Sequence, residues 1–416
     1  MKVNQKRLAR QNEIIQKWVA NNRRGTVEAV TGFGKTFVAL LILQDMNAKL
    51  PGGSAIVVVP TQNLRDQWQQ QINELGIHNT SVTIINTAVQ HLDSCDLLIL
   101  DEIHNYTSPV FKTIFTVIDY RHILGLTATL EREDPRYSVI EQFAPVIDTV
   151  SLPEAIRNNY VSEFQIFNLG LRMSDEEEKR YNEITSAYYK HFALFNNRFS
   201  AAMKCMQDPV YRSVFTRNLS GWSENEVLNV ARAWNRAMAA RKKMLYNSPT
   251  KLAAAAALID MFDVQTLTFG ESVDFATQLT KVTQPWSEAY HSKIPKYKRA
   301  DVLKRFADDK YDTRVINTAR ALDEGFDVKG VELAIICSGT SVSRQDLQRT
   351  GRAIRFVENK TGVIINLYLK DTQDEKWLRK RQRKSANIEW VHSLQEVRDK
   401  CHSSVRRNVA PDIVGS

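Results

Sequence analysis

The sequence predicts an α/β protein built on two doubly wound parallel sheets, and three observations carry that expectation. Short, continuous apolar runs alternate with helical segments in two separate regions of the chain, and such runs form strands buried on both faces. The first strand-to-helix junction is a glycine-containing loop, Gly32-Phe33-Gly34-Lys35-Thr36. Between the two regions, about 70 residues keep helical spacing and show no strand pattern.

The 416 residues suffice for two to three domains with real cores. A formal charge of +9 points to a polyanionic partner without fixing a fold. Cys95, Cys205, Cys337 and Cys401 lie far apart and form no metal-ligand pairs, so they read as isolated thiols in a reducing compartment. The N-terminus has no apolar core of a signal peptide, and no apolar stretch reaches the length of a membrane span. The expectation is a soluble cytoplasmic protein, nucleoid-associated or in a host cytoplasm if phage-encoded, with no membrane partner.

A first helix is expected over residues 8–20, where Leu8, Ile14, Ile15, Trp18 and Val19 share a face. Residues 26–30 read as a strand running into the loop, and the apolar 37–43 as a buried helix. Strand, glycine loop, Lys-Thr and helix together form the arrangement that holds a nucleoside triphosphate. Loop N–H groups, from Thr31, Gly32 and Gly34 onward, face the phosphates; Lys35 reaches the β and γ oxygens, and the Thr36 hydroxyl ligates Mg²⁺. Ala29 stands where the generic pattern has its first glycine. ATP and Mg²⁺ are the expected cofactors.

Strands follow at 55–59, 82–85, 96–100 and 122–126, with a helix at 63–72. Asp101 and Glu102 close the strand at 96–100, at a carboxyl end where such sheets bind ligands. Phosphoanhydride hydrolysis needs a carboxylate to hold Mg²⁺, partly through water, and a second group to orient and deprotonate the attacking water. Asp101 suits the first role and Glu102 the second.

Asp101-Glu102-Ile103-His104, then Thr127-Ala128-Thr129 after the next strand, resemble motifs II and III of superfamily 2 helicases. The resemblance makes His104, Thr127 and Thr129 coupling residues between nucleotide and nucleic acid. It implies that Thr61, after Pro60, and Thr87 grip phosphates of a bound strand, and that Gln11 reads adenine. Leu130-Glu131-Arg132-Glu133-Asp134 is similar to the element after motif III in phage branch-migration helicases of the UvsW type and in the XPB branch, where it is implicated in strand separation; Arg132, Glu133 and Asp134 are the candidates, Arg132 as a nucleic-acid contact.

Residues 145–165 read as a connection, and 164–169 as the first strand of a second sheet. The stretch 174–247 is then a helical insertion, either a subdomain with an aromatic core and a solvated basic face or a nucleic-acid clamp. Its basic and aromatic residues include Tyr188, Tyr189, Lys190, Arg198, Lys204, Arg232, Trp234, Arg236, Arg241, Lys242 and Lys243. A helix at 251–262 and strands at 265–270, 314–318, 333–337 and 364–369 resume the sheet. By the same resemblance, His291, Thr318 and Arg320 touch the bound strand, while Gly325 and Asp327 approach the nucleotide. Gln348-Arg349-Thr350-Gly351-Arg352-Ala353-Ile354-Arg355, read as a helix with arginines along one face, looks like motif VI. That implies Arg352 and Arg355 as arginine fingers and Gln348 near the γ-phosphate or the attacking water. The dense basic run 379–384 is either a solvated face or a phosphate contact.

The organisation expected is therefore a RecA-like, ATP-binding domain at 1–150, a second RecA-like domain at 151–372 carrying the insertion, and a basic C-terminal helix and tail at 373–416. Because Gln11 already belongs to the core, no sizeable N-terminal domain is expected, and loading or damage-recognition modules would come from a partner. The implied activity is that of an ATP-dependent DNA helicase or translocase acting on single-stranded, forked or branched DNA in recombination, replication or repair, with protein partners in those processes. An RNA helicase, a double-strand translocase without strand separation, and an ATP-gated clamp that does not unwind are the alternatives.

Overall fold

The computed structural model describes residues 4–30, 32–90, 93–128, 135–161, 164–308, 310–319, 329–339, 355–356, 362–382 and 388–401. At Leu152, Lys296, Lys329, Arg355, Phe356 and Arg381 only the backbone is described. The chain divides into two compact units: one runs to Phe164 and also takes in, among the described residues, 329–332, 355–356 and Gly362; the other begins at Gln165 and holds the remainder.

The first unit holds six strands: β1 (Arg24–Ala29), β2 (Ala55–Val59), β3 (Thr80–Ile84), β4 (Asp93–Asp101), β5 (Ile118–Thr127) and β6 (Val146–Val150). They lie in the order β3-β2-β4-β5-β1-β6, every pairing parallel. Every residue of β2, Ala-Ile-Val-Val-Val, is buried, as a strand covered on both faces requires. On one face Val57, Val59, Leu97 and Ile99 join Ile14, Trp18, Leu43 and Trp68 from the helices Gln5–Ala20, Lys35–Lys49 and Gln62–Glu74. On the other, Val58, Leu98, Leu100 and Ile123 meet Ile103, Tyr106 and Phe115.

The segment expected to be a connection belongs to this unit. β6 pairs with β1, and the helix Leu152–Arg157 with Ala155, Tyr160 and Val161 joins the first core; the Tyr160 ring meets that of Phe33 edge-on at 5.6 Å. The first unit thus runs past residue 150, because a covering helix and the residues that follow it pack into its core.

In the second unit β7 (Phe164–Leu171), β8 (Thr266–Gly270), β9 (Ser287–His291), β10 (Val315–Ala319), β12 (Leu333–Ile336), β14 (Gly362–Leu369) and β15 (Ile388–Val391) form one sheet, ordered β15-β7-β14-β12-β8-β10-β9. Two short strands, β11 (Lys329–Val331) and β13 (Arg355–Phe356), pair with each other and belong to the first unit. The described residues after 372 belong to the second unit, and 402–416 of the expected tail lie outside the described residues. Ile388–Val391 pairs in parallel with β7, and Val397 and Cys401 enter the second core. Lys251, fully buried, meets the Asp374 carboxylate at 2.5 Å, tying the C-terminal helix Gln373–Arg381 to the helix Pro249–Phe262. A four-residue strand with intermediate burial gives too weak an alternation to stand out beside the charged run that precedes it.

The insertion comprises the helices Asp175–Phe192, Phe199–Gln207, Pro209–Arg217 and Glu224–Tyr246. Ser174 with Glu177, and Ser223 with Glu226, form capping boxes at the two long helices. Its own core unites Tyr188, Phe192, Phe195, Ala202, Cys205, Val227 and Trp234. The Arg241 guanidinium, also buried, lies 4.1 Å from the centre of the Tyr188 ring. Tyr188, Trp234 and Arg241 therefore belong to this core, while Lys190, Arg198, Lys204, Arg232, Arg236, Lys242 and Lys243 are exposed.

Candidate functional site

The glycine loop links the carboxyl end of β1 to the helix beginning at Lys35. Gly34 caps that helix at φ +95°, and a Cβ there would meet Gln11 Nε2 at 2.6 Å, so only glycine fits. Buried Gln11 donates from Nε2 to the Phe33 carbonyl at 2.9 Å. Its amide thus supports the loop from within the protein. Lys35 is itself buried, and its Nζ donates to the Ala29 carbonyl at 2.8 Å, a turn back across the loop. The leading N–H groups of the helix have no acceptor within it. With the helix dipole they form a site for anionic oxygens, into which Lys35 adds its charge.

β5 separates β1 from β4, with Glu28 beside Thr127 and Asp101 beside Leu126. At the usual strand spacing the carboxyl ends of β1 and β4 lie roughly 10 Å apart. A nucleotide's phosphates seated on the loop would have Asp101 and Glu102 across from them. Both acids are buried. Asp101 Oδ2 accepts from Trp68 Nε1 at 3.0 Å, and Oδ1 from the Glu102 N–H at 3.0 Å. Glu102 adopts φ +52°, ψ +54°, a strained conformation for a side chain of its size. His104 Nδ1 lies 2.9 Å from Thr127 Oγ1 and 3.4 Å from Glu102 Oε2, joining the ends of β4 and β5. Burial, with the charges of Asp101 and Glu102 adding to it, raises the Tyr106 phenol well above its ordinary pKa; its hydroxyl donates to the Val58 carbonyl at 2.8 Å. The Thr36 hydroxyl and the Asp101 carboxylate supply hard oxygen donors of the kind Mg²⁺ takes alongside phosphate and water.

Thr61 caps the helix Gln62–Glu74, its Oγ1 accepting from the Leu64 N–H at 3.4 Å, and Thr87 is exposed on the short helix Ile85–Ala88. In the second unit His291 ends β9 and is buried; burial, then the nearby charges of Lys293 and Arg299, lower its pKa. Thr318 is placed differently from the strand-end residue expected. β10 continues to Ala319, so Thr318 lies inside the strand, 1% exposed, with its hydroxyl donating to the Thr268 carbonyl at 2.8 Å. The backbone of Arg355 is in strand β13 and not in the helix read from the sequence. Thr31, Thr129, Arg132, Arg320, Gly325, Asp327, Gln348 and Arg352 lie outside the described residues.

Sequence reasoning passed over Trp68, whose indole meets Asp101. The available signal was one tryptophan in an otherwise polar helix, seven residues after Thr61. It also passed over Arg10, which binds both oxygens of buried Asp148 at 2.7 and 2.9 Å and Glu154 at 3.1 Å, fastening the helix of Gln11 to β6.

Comparison with known proteins bears on both units. Residues 4–91 match the family model described as "Type III restriction enzyme, res subunit", and residues 250–357 match "Helicase conserved C-terminal domain". The chain is 28% identical over 392 residues to "DNA 3'-5' translocase XPB2" of Sulfurisphaera tokodaii, covering 89% of this chain and 83% of that protein. It is 23% identical over 385 residues to "Putative DNA 3'-5' helicase Rad25" of Halobacterium salinarum, covering 86% of this chain but only 54% of the relative's length. Among solved structures, the helicase domain of Pyrococcus furiosus Hef superposes with a TM-score of 0.59 at 13% identity, over 88% of this chain and 96% of that one, a likeness of fold. Among the described residues no helix is long and apolar enough to cross a membrane.

Proposed function

We propose that this chain, a superfamily 2 helicase and ATP hydrolase that resembles the XPB branch, is a DNA translocase moving 3′ to 5′ and remodelling forked or branched DNA. The observation that carries the reading is the joined set Asp101, Glu102, His104 and Thr127 at the carboxyl ends of β4 and β5. In this reading Lys35 leaves the Ala29 carbonyl for the β and γ phosphates; Thr36 and, through water, Asp101 would hold Mg²⁺, which would supply neutralisation of their charge. Glu102 orients the attacking water and takes its proton. The His104–Thr127 contact reports the state of that carboxylate to the end of β5. Thr61 and Thr87, near helix starts of the same unit, hold phosphates of the tracked strand. Gln348, Arg352 and Arg355 act on the γ-phosphate, and Gly325 and Asp327 on the nucleotide. The direction of movement is that named for the archaeal relatives. Activity on DNA implies a cytoplasmic or nucleoid location, with partners that deliver the chain to its substrate.

The test compares ATPase stimulation by single-stranded DNA, a fork, a four-way junction and RNA of matched sequence, with displacement of a block from either end of a single strand. Strongest stimulation by fork or junction, and displacement with 3′-to-5′ polarity, are expected. Strongest stimulation by RNA overturns the DNA reading.

A further inference from the structure

The buried tryptophan of the helix Gln62–Glu74 touches the chemistry of the site and has no assigned part in it. Trp68 is 1% exposed, and its Nε1–H donates to Asp101 Oδ2 at 3.0 Å. A buried indole ordinarily finds some acceptor, and a backbone carbonyl serves as well as any. Trp18, in the same core, does that, donating to the Ile123 carbonyl at 3.0 Å. Trp68 donates instead to the carboxylate assigned to the metal. With the Glu102 N–H on Oδ1, each Asp101 oxygen receives a hydrogen bond, and the plane of the carboxylate is set. The same helix begins at the Thr61 cap, two turns or roughly 10 Å of rise before Trp68.

We infer that Trp68 is a positioning residue that orients Asp101 toward Mg²⁺ and links that carboxylate to the helix starting at Thr61, so that strand binding at Thr61 tightens the metal site. This rests on the reading of Asp101 as the metal carboxylate and of Thr61 as a strand contact. A helix held by a strand phosphate at its first residue moves less, and its indole then fixes Asp101 more firmly. Trp68→Phe removes the donor and keeps most of the ring. Trp68→Leu fills part of the same space and has no donor.

The experiment measures equilibrium binding of ADP by calorimetry, in Mg²⁺ and in EDTA, with and without single-stranded DNA. The panel is wild type, Trp68→Phe, Trp68→Leu, Asp101→Asn and Trp68→Phe/Asp101→Asn, with melting temperature as a control on folding. Wild type is expected to bind ADP more tightly in Mg²⁺, and more so when DNA is present. Loss of a group that orients a metal ligand lowers metal affinity roughly ten- to a hundredfold, so the position-68 variants should lose most of the Mg²⁺ enhancement and its response to DNA, with binding in EDTA unchanged. In the Asp101→Asn background the Trp68→Phe change should add nothing further. An unchanged Mg²⁺ enhancement in either folded position-68 variant, or a further loss in the double variant, overturns the inference. If Asp101→Asn itself leaves the enhancement intact, the assignment of Asp101 fails, a result distinct from failure at Trp68 alone.

Discussion

Replacing Arg10 by Met tests how the helix carrying Gln11 is held. Arg10 binds Asp148 through two N–H groups at 2.7 and 2.9 Å, with side chains only 12% and 6% exposed. Removing one partner of such a pair strands the other charge and costs about 3–5 kcal/mol. Here Lys17 stays 2.9 Å from Asp148, and that residual partner lowers the expected loss to roughly 2–3 kcal/mol. For a unit of this size the melting temperature should fall by roughly 5–10 °C. The effect has a pH signature. Burial pushes the Asp148 carboxyl up, but hydrogen bonds from Arg10 and Lys17 outweigh it and hold the pKa below the usual carboxylate value. A lowered folded-state pKa contributes stability above the unfolded value, near 4, and that contribution disappears as pH falls through the folded value. Calorimetric scans of wild type, Arg10→Met, Asp148→Asn and the double variant should show a gap that is full at neutral pH and closes as pH falls below the ordinary carboxylate range. ATP binding should weaken alongside, because Gln11 supports the Phe33 carbonyl from the same turn of helix. A melting temperature within about 2 °C of wild type, or a gap independent of pH, would refute the reasoning.

Glu102→Gln and Lys35→Ala should abolish hydrolysis with melting curves unchanged, read by phosphate release; normal turnover in Glu102→Gln would remove Glu102 from the water-activating role. Trp234→Ala, at a fully buried ring stacked on Phe192 at 5.3 Å, should cost about 3–5 kcal/mol in the insertion, read by hydrogen exchange confined to 175–246. Replacing exposed Lys376, Arg379 and Lys380 by Gln should weaken DNA binding and reduce its logarithmic salt slope by about one for each phosphate left without its cation. An unchanged slope would assign these charges to solvent and to their internal partners, such as Glu375, which Arg379 meets at 2.7 Å.

Much of the architecture could be read from the chain because its strands are continuous apolar runs. Ala55–Val59 and Val315–Ala319, wholly buried, fall within a residue of where the pattern placed them. Strands of mixed character were harder to see. Val146–Val150 carries Asp148, whose charge is matched only by residues more than a hundred positions earlier. Ile388–Val391 is short and follows a charged segment. At the site, the types and order of Lys35, Asp101, Glu102 and His104 were legible, since their chemistry is local to strand ends. The orientation of Thr318 was not, because a one-residue extension of β10 decides whether its hydroxyl faces the sheet. Nor was the Trp68–Asp101 bond, which joins residues 33 positions apart through the packing of one helix on the sheet.

The base of the insertion is clasped by one carboxylate. Glu177, three residues into the entering helix, accepts from the hydroxyls of Ser248 and Thr250, where the chain returns to the sheet unit. Burial pushes the Glu177 carboxyl up, and these hydrogen bonds more than compensate, so its pKa stays below the ordinary range. Above the clasp, Tyr181 and Leu245 pack with Leu369, and beyond that layer the helices share a core of their own. Entry and exit thus lie within a hydrogen bond of each other, and a turn of a few residues grafted above Tyr181 and Leu245 would close the chain at small entropic loss. The insertion is in this sense a cassette. Shortening, exchanging or tagging it should leave the register of the sheet unchanged.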